Sequence, residues 1–149
     1  MNILALDTGS ITGWAMLYSK KIYSGTQDFS KKKCDDNGVS FIFFRSWLEA
    51  MLKTYRPEVI IFEQPHMRGA GTQLLMGFVT TVQELATEYP AMWIEVHSKT
   101  LKIWATGYGN STKDQMMEKA REKKWKFVGD DECDALWILD WYISKSAMK

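Results

Sequence analysis

Apolar and polar positions along this chain fall into two rhythms. "NILALD" (Asn2–Asp7), "GWAMLYS", "KIYSGTQDF", "EVIIFEQ" (Glu58–Gln64) and "AMWIEVH" (Ala91–His97) are short apolar or alternating runs bounded by turn residues or lysines, and they read as strands. From Val39 to Tyr55 the rhythm changes: Phe41, Phe44, Leu48, Met51 and Leu52 recur at helical spacing, and Arg56-Pro57 closes the helix. Gln73 to Tyr89 repeats that pattern with Leu74, Leu75, Phe78, Val82 and Leu85. Ser98 is expected to cap a short helix reaching Ala105, Thr112 to Lys124 to form a polar helix, and a last helix to begin near Asp130. "KKKCDDNG" (Lys31–Gly38) is expected to be an exposed loop. A three-stranded meander followed by βαβαβ crossovers predicts an α/β fold with a five-stranded mixed sheet: a three-stranded antiparallel meander plus parallel strands, flanked by helices on both faces. At 149 residues, a single domain over 1–149 is expected.

Composition narrows the setting. No apolar run reaches about 18 residues, so no membrane partner is expected. "MNILALD" lacks a basic stretch before its apolar run and reads as a strand rather than a signal peptide. Cys34 and Cys133 form neither a disulfide framework nor a zinc pattern, which suits a reducing, cytoplasmic location. The net charge of +1 points to no partner, but its distribution does. From Lys99 to Lys126 there are eight Lys/Arg against three Asp/Glu, and from Asp130 to Asp140 five acids and no base. A basic stretch beside an acidic cluster suits a site where metal ions sit between carboxylates and a polyanion; the plainer reading is a solvated helix followed by an acid-rich helix start.

Two strands carry an acid at their carboxyl end, Asp7 after "ILAL" and Glu63 after "VIIF". In open α/β sheets chemistry gathers at that edge. If the two strands are parallel neighbours, their carboxylates lie side by side. Asp131 and Asp134 are three apart and share one face of the last helix. Docked on the sheet, that helix completes a pocket of four carboxylates. Such a group is unfavourable unless neutralised, and hard oxygen ligands suit Mg²⁺ or Mn²⁺. A pair of such ions supports phosphodiester cleavage. Gly9 is expected to allow close backbone approach at the mouth of the site. Each acid also has a plain alternative: Asp130 or Asp131 as helix N-cap, Glu63 as a strand-end surface residue, Asp7-Thr-Gly as a turn.

"ILALDTGSITGWA", "VIIFEQP" and "DDECDALWIL", in that order, resemble the RuvC type of Holliday-junction resolvase within the RNase H-like nuclease superfamily. The resemblance implies an RNase H-like fold in which Asp7, Glu63, Asp131 and Asp134 bind two Mg²⁺ ions, with Mn²⁺ as a substitute. "LKIWATGYGNSTKDQM" (Leu101–Met116) resembles the family segment that carries two lysines around a G-x-G turn. It implies that Lys102 and Lys113 contact DNA near the scissile phosphate, with Lys113 also serving catalysis. Where bacterial members carry a wedging phenylalanine this chain has His66, in "EQPHMRGAGTQ". Stacking by His66, with Met67 or Arg68 contributing, would widen selectivity from strict junctions to branched DNA. An exposed loop residue is the alternative for His66.

Trp137 and Trp141, four apart, are expected in the core, with Trp14 and Trp93 in strands; Trp104 and Trp125 are candidates for the border of a DNA surface. Cys133 and His97 are expected to be structural. The expected activity is a metal-dependent crossover junction endodeoxyribonuclease that hydrolyses four-way or branched DNA in line, leaving 5′-phosphate and 3′-hydroxyl ends. The resemblance implies a homodimer making symmetrical nicks, with the Gln73–Tyr89 helix as candidate interface. Two alternatives stand beside it: a nucleotide-binding protein of the actin-like or sugar-kinase fold, and a junction-binding protein that does not cleave.

Overall fold

A computed structural model describes residues 1–65, 69 and 71–148. The elements run β1 (Ile3–Asp7), β2 (Ile11–Tyr18), β3 (Lys21–Asp28), α1 (Asn37–Tyr55), β4 (Val59–Glu63), α2 (Thr72–Glu88), β5 (Met92–Val96), α3 (Ser98–Thr106), α4 (Lys113–Glu122) and α5 (Asp130–Ala147). The sheet order is β3-β2-β1-β4-β5. β1 pairs antiparallel with β2, and β2 with β3. β4 lies parallel to both β1 and β5. The predicted five-stranded mixed sheet is therefore the observed one. The turn between β2 and β3 is two residues, Ser19 and Lys20, both at positive φ (49° and 67°), the hand that matches strand twist in a tight hairpin.

Strand alternation sorts the core into two layers. Leu4, Leu6, Ile60 and Phe62 face α1 and α2, where Phe44 stacks on Phe78 with ring centroids 4.1 Å apart. Ile3, Ala5, Val59 and Ile61 face the other way, against Ala135, Ile138 and Leu139 of α5. Trp137 and Trp141 are buried, as their spacing predicted, and the Cys133 thiol is buried between α4 and α5. Burial pushes that thiol up to about 12, so it stays a protonated packing group.

Helix ends follow local chemistry, with two corrections. Asp36 caps α1 by accepting from the Val39 amide at 2.9 Å, and Arg56 ends it in the left-handed region. Ser98 does not cap α3. His97 holds that place, its Nδ1 accepting from the Lys99 amide at 3.1 Å, because the extended backbone that a cap requires falls on His97 while Ser98 is already helical and buried. The cap of α5 is Gly129, with no side-chain capping bond. Neither Asp130 nor Asp131 is thus an N-cap; both lie inside the first turn, where negative charge meets the positive end of the helix dipole. Among the described residues no helix is long and apolar enough to cross a membrane.

Candidate active site

Asp7 and Glu63 end neighbouring parallel strands whose register pairs Leu6 with Phe62. Because side chains alternate, Asp7 continues the Ile3–Ala5 row and Glu63 the Val59–Ile61 row, so both carboxylates face α5. α5 crosses that face with its N-terminus at the carboxyl edge of β1 and β4. A cleft of about 280 Å³ results, lined by Asp7, Glu63, Asp130, Asp131 and Asp134 together with Lys102 and Lys113. The structure thereby brings together the four predicted carboxylates and both predicted lysines.

The approach of α5 depends on a residue whose part the strand pattern did not reveal. Gly13 on β2 lies opposite Asp7 in the register, and a β-carbon there would overlap the Asp131 carbonyl far inside van der Waals contact. Its hydrogen lets the first turn of α5 settle directly on the strand. The close approach expected at Gly9 belongs to Gly13 instead. Gly9 lies in a turn where its amide bonds the Thr12 hydroxyl at 3.3 Å and the Thr12 hydroxyl donates to its carbonyl at 2.7 Å. The only signal for Gly13 in the sequence is a glycine inside a strand pattern, which hints at close backbone approach without naming the neighbour.

The four clustered acids at the head of α5 have three separate tasks. Glu132 is buried and turned away from the cleft, accepting from the Ser24 hydroxyl at 2.6 Å and from the Val128 amide at 2.9 Å. It ties α5 to β3 and to the segment before the helix. Asp130 forms an ion pair with Lys113 at 2.9 Å. Asp130 stays at the cleft through this pair, and Asp131 and Asp134 line it beside Asp7 and Glu63.

Electrostatics there are strained in one direction. Burial, followed by Asp134, Glu63, Asp131 and Asp130, holds the Asp7 carboxyl well above its ordinary range. Burial, with Glu63, Asp130 and Asp131, pushes Asp134 up to about 7, with Lys113 opposing. Asp131 is raised by burial and by Asp130, while Lys113 and a hydrogen bond with Asp7 pull it back. Lys113 is raised by its bond to Asp130 and so stays charged, although its side chain is largely exposed and the pair adds little to stability.

Among the described residues no three acidic, histidine or cysteine side chains close on a single point as a ready-made metal cage. The donor set nevertheless fits a hard cation. Carboxylates from β1, β4 and α5 converge on one cleft, and burial together with the neighbouring acids raises Asp7, Asp131 and Asp134, a strain that a bound cation would relieve. Asp7, Glu63, Asp131 and Asp134 are the residues that could hold it.

Other predicted positions resolve differently. His66, Met67 and Arg68 lie outside the described residues. Trp104 is partly exposed and donates to Asp140 at 2.9 Å, while Trp125 packs on Trp137 with ring centroids 4.6 Å apart. Both therefore have partners within the fold.

No protein-family profile matches the chain. It is 28% identical over 150 residues to the crossover junction endodeoxyribonuclease RuvC of Rickettsia conorii, covering 93% of this chain and 94% of that protein. The RuvC of Rickettsia typhi is 26% identical over 124 residues, 78% of each chain. Among solved structures, Thermus thermophilus RuvC in complex with Holliday junction substrate superposes with a TM-score of 0.75 at 16% identity, over 93% of this chain and 90% of that one. Fowlpox virus resolvase in complex with Holliday junction DNA gives 0.60 at 13% identity, over 96% and 99%. The chain has the fold of these resolvases, and the resemblance to RuvC read from its motifs holds along nearly its whole length.

Proposed function

We propose, from this kinship with RuvC-type resolvases, that the chain is a structure-selective endodeoxyribonuclease that resolves Holliday junctions and extends to other branched DNA. The observation that carries the reading is the cleft itself: carboxylates from β1, β4 and α5 faced by two lysines. A divalent cation held by Asp7, Glu63, Asp131 and Asp134 would supply the charge that activates water and steadies the leaving oxygen, and two Mg²⁺ ions, replaceable by Mn²⁺, suit that number of donors.

The chain's own groups do the rest. Lys113, kept protonated by Asp130 at 2.9 Å, is positioned to hold a phosphate oxygen and offset charge developing on it. Lys102 lines the same cleft and anchors the backbone. Glu132 and Gly13 fix the head of α5, so that Asp131 and Asp134 need little rearrangement. The products are 5′-phosphate and 3′-hydroxyl ends. A binding protein that does not cut has no use for four converging acids.

The test is cleavage of a labelled four-way junction beside a linear duplex and a Y-fork, in Mg²⁺ and in EDTA. Paired metal-dependent nicks in the junction are expected. Equal cutting of the fork would make branched DNA the substrate class, and no cleavage in Mg²⁺ or Mn²⁺ would sink the nuclease reading.

A homodimer completes the proposal, since two clefts related by a two-fold axis make symmetrical nicks. Exposed Ile42 and Phe43 on α1 and Met76 on α2 supply apolar surface at the predicted interface helix and its neighbour. Phe43→Glu is expected to shift sedimentation from dimer to monomer; an unchanged sedimentation coefficient would move the interface elsewhere.

A further inference from the structure

The loop between α3 and α4 is pinned through its backbone and holds an aromatic ring in solvent. Gly107 closes α3 at φ 91°, its amide bonded to the Ile103 carbonyl at 2.9 Å. The Tyr108 amide donates to Thr106 Oγ1 at 3.1 Å, and Ser111 Oγ donates to the Tyr108 carbonyl at 2.6 Å. The Thr106 and Ser111 hydroxyls are themselves in hydrogen-bond contact. Ser111 is buried and lines the carboxylate cleft. The phenol ring, by contrast, is 76% exposed.

Lysines flank the loop that carries this ring. Lys102 and Lys113, on either side of the loop in sequence, both line the cleft, and the stem of Lys99 lies close against Gly109, where a β-carbon would meet Lys99 Cε at 2.8 Å. Lysines therefore flank a backbone-pinned loop whose Ser111 reaches the acidic cleft and bonds the Tyr108 carbonyl, while the Tyr108 ring stays exposed. Lysines track phosphates, while an aromatic face takes a base only when that base has left its own stack. A linear duplex offers no such face; a branch point does.

We propose that Tyr108 is a stacking platform for an unpaired base beside the phosphodiester presented to the cleft. It is a specificity residue, and the inference rests on the nuclease reading above. Tyr108 selects branched over linear DNA. Its phenol hydroxyl plays no part in this, so phenylalanine serves equally well. Because the loop is held by the backbone atoms of Tyr108, removing the ring leaves those bonds in place.

The test uses the full chain with Asp134→Asn, so that DNA is bound and not cut, and junctions carrying 2-aminopurine at the nucleotides flanking the branch point. Tyr108 and Tyr108→Phe are expected to quench 2-aminopurine at one of those positions. Tyr108→Ala is expected to abolish the quench and weaken junction binding about tenfold, with duplex binding unchanged. Equal quenching and affinity in Tyr108→Ala would overturn the proposal, as would equal weakening for junction and duplex, which marks a general backbone contact. Cleavage by the otherwise unsubstituted chain separates the two readings. If it cuts junctions while Tyr108→Ala behaves like the parent, only the stacking role falls; if it neither binds nor cuts branched DNA, both fall.

Discussion

In EDTA at pH 8, Asp134→Asn is expected to melt above the unsubstituted protein, with a gap that narrows as pH falls towards 4. Asp134 carries a folded value of about 7 against an ordinary 3.8, raised first by burial and then by Glu63, Asp130 and Asp131. The folded protein therefore binds this proton more readily than the unfolded chain does. Stability falls as pH rises from the ordinary value to the folded one, and above about 7 the penalty is complete. At 1.36 kcal/mol per unit, the penalty is at most about 4 kcal/mol, and roughly half of that after sharing among coupled carboxylates. The expected gap at pH 8 is about 4–8 °C. Added Mg²⁺ or Mn²⁺ should raise the melting temperature of the unsubstituted chain and do much less for Asp134→Asn. The same substitution should lower junction cleavage by at least about 10²–10³-fold, the scale of removing one preorganised electrostatic group. Thermal melts over pH with and without metal, beside single-turnover cleavage, check all three. Identical melting curves at pH 8 would mean that Asp134 is not destabilised by burial among like charges.

Gly13→Ala should lower cleavage about 100-fold while leaving the fold intact. The added β-carbon meets the Asp131 carbonyl, its carbon and the Glu132 amide, all backbone, so no side chain can swing aside. β2 lies between β1 and β3 and cannot retreat within the sheet, so the first turn of α5 must lift. Overpacking of this kind costs about 1–3 kcal/mol. A displacement of about 1 Å at the reacting groups reduces rate by about 10². Asp131 moves away from Asp7, and Glu132 loses its reach to Ser24. Gly9→Ala is the control: its β-carbon meets only the Ile11 carbonyl, at 3.3 Å, and a small shift relieves it. Far-UV circular dichroism and cleavage rates of the two variants make the comparison; full activity in Gly13→Ala would remove Gly13 from the positioning of α5.

Much of this site was legible along the chain because short-range geometry repeats. A strand turns over every second residue, so Ile3, Ala5 and Asp7 had to share a face, as did Val59, Ile61 and Glu63. A helix returns after three or four residues, which put Asp131 and Asp134 together and left Trp137 and Trp141 to anchor them. The meander and the crossovers imply a mixed sheet, but only the observed order, with β1 and β4 as parallel neighbours, brings the two carboxylates to one sheet edge.

Tertiary structure alone decided the contacts that depend on where α5 crosses the sheet. Ser24 and Glu132 are 108 residues apart, and nothing in either neighbourhood marks them as partners. Spacing pairs Asp131 with Asp134 at the head of α5, but it could not tell that Asp130 would meet Lys113 or that Glu132 would meet Ser24 of β3. Gly9 and Gly13 look alike in the sequence, both glycines near Asp7, yet only Gly13 lies under the helix. Periodicity fixes the direction of a side chain relative to its own element, whereas the neighbour it meets depends on how closely two elements pack, and here that distance is set by a missing β-carbon on Gly13.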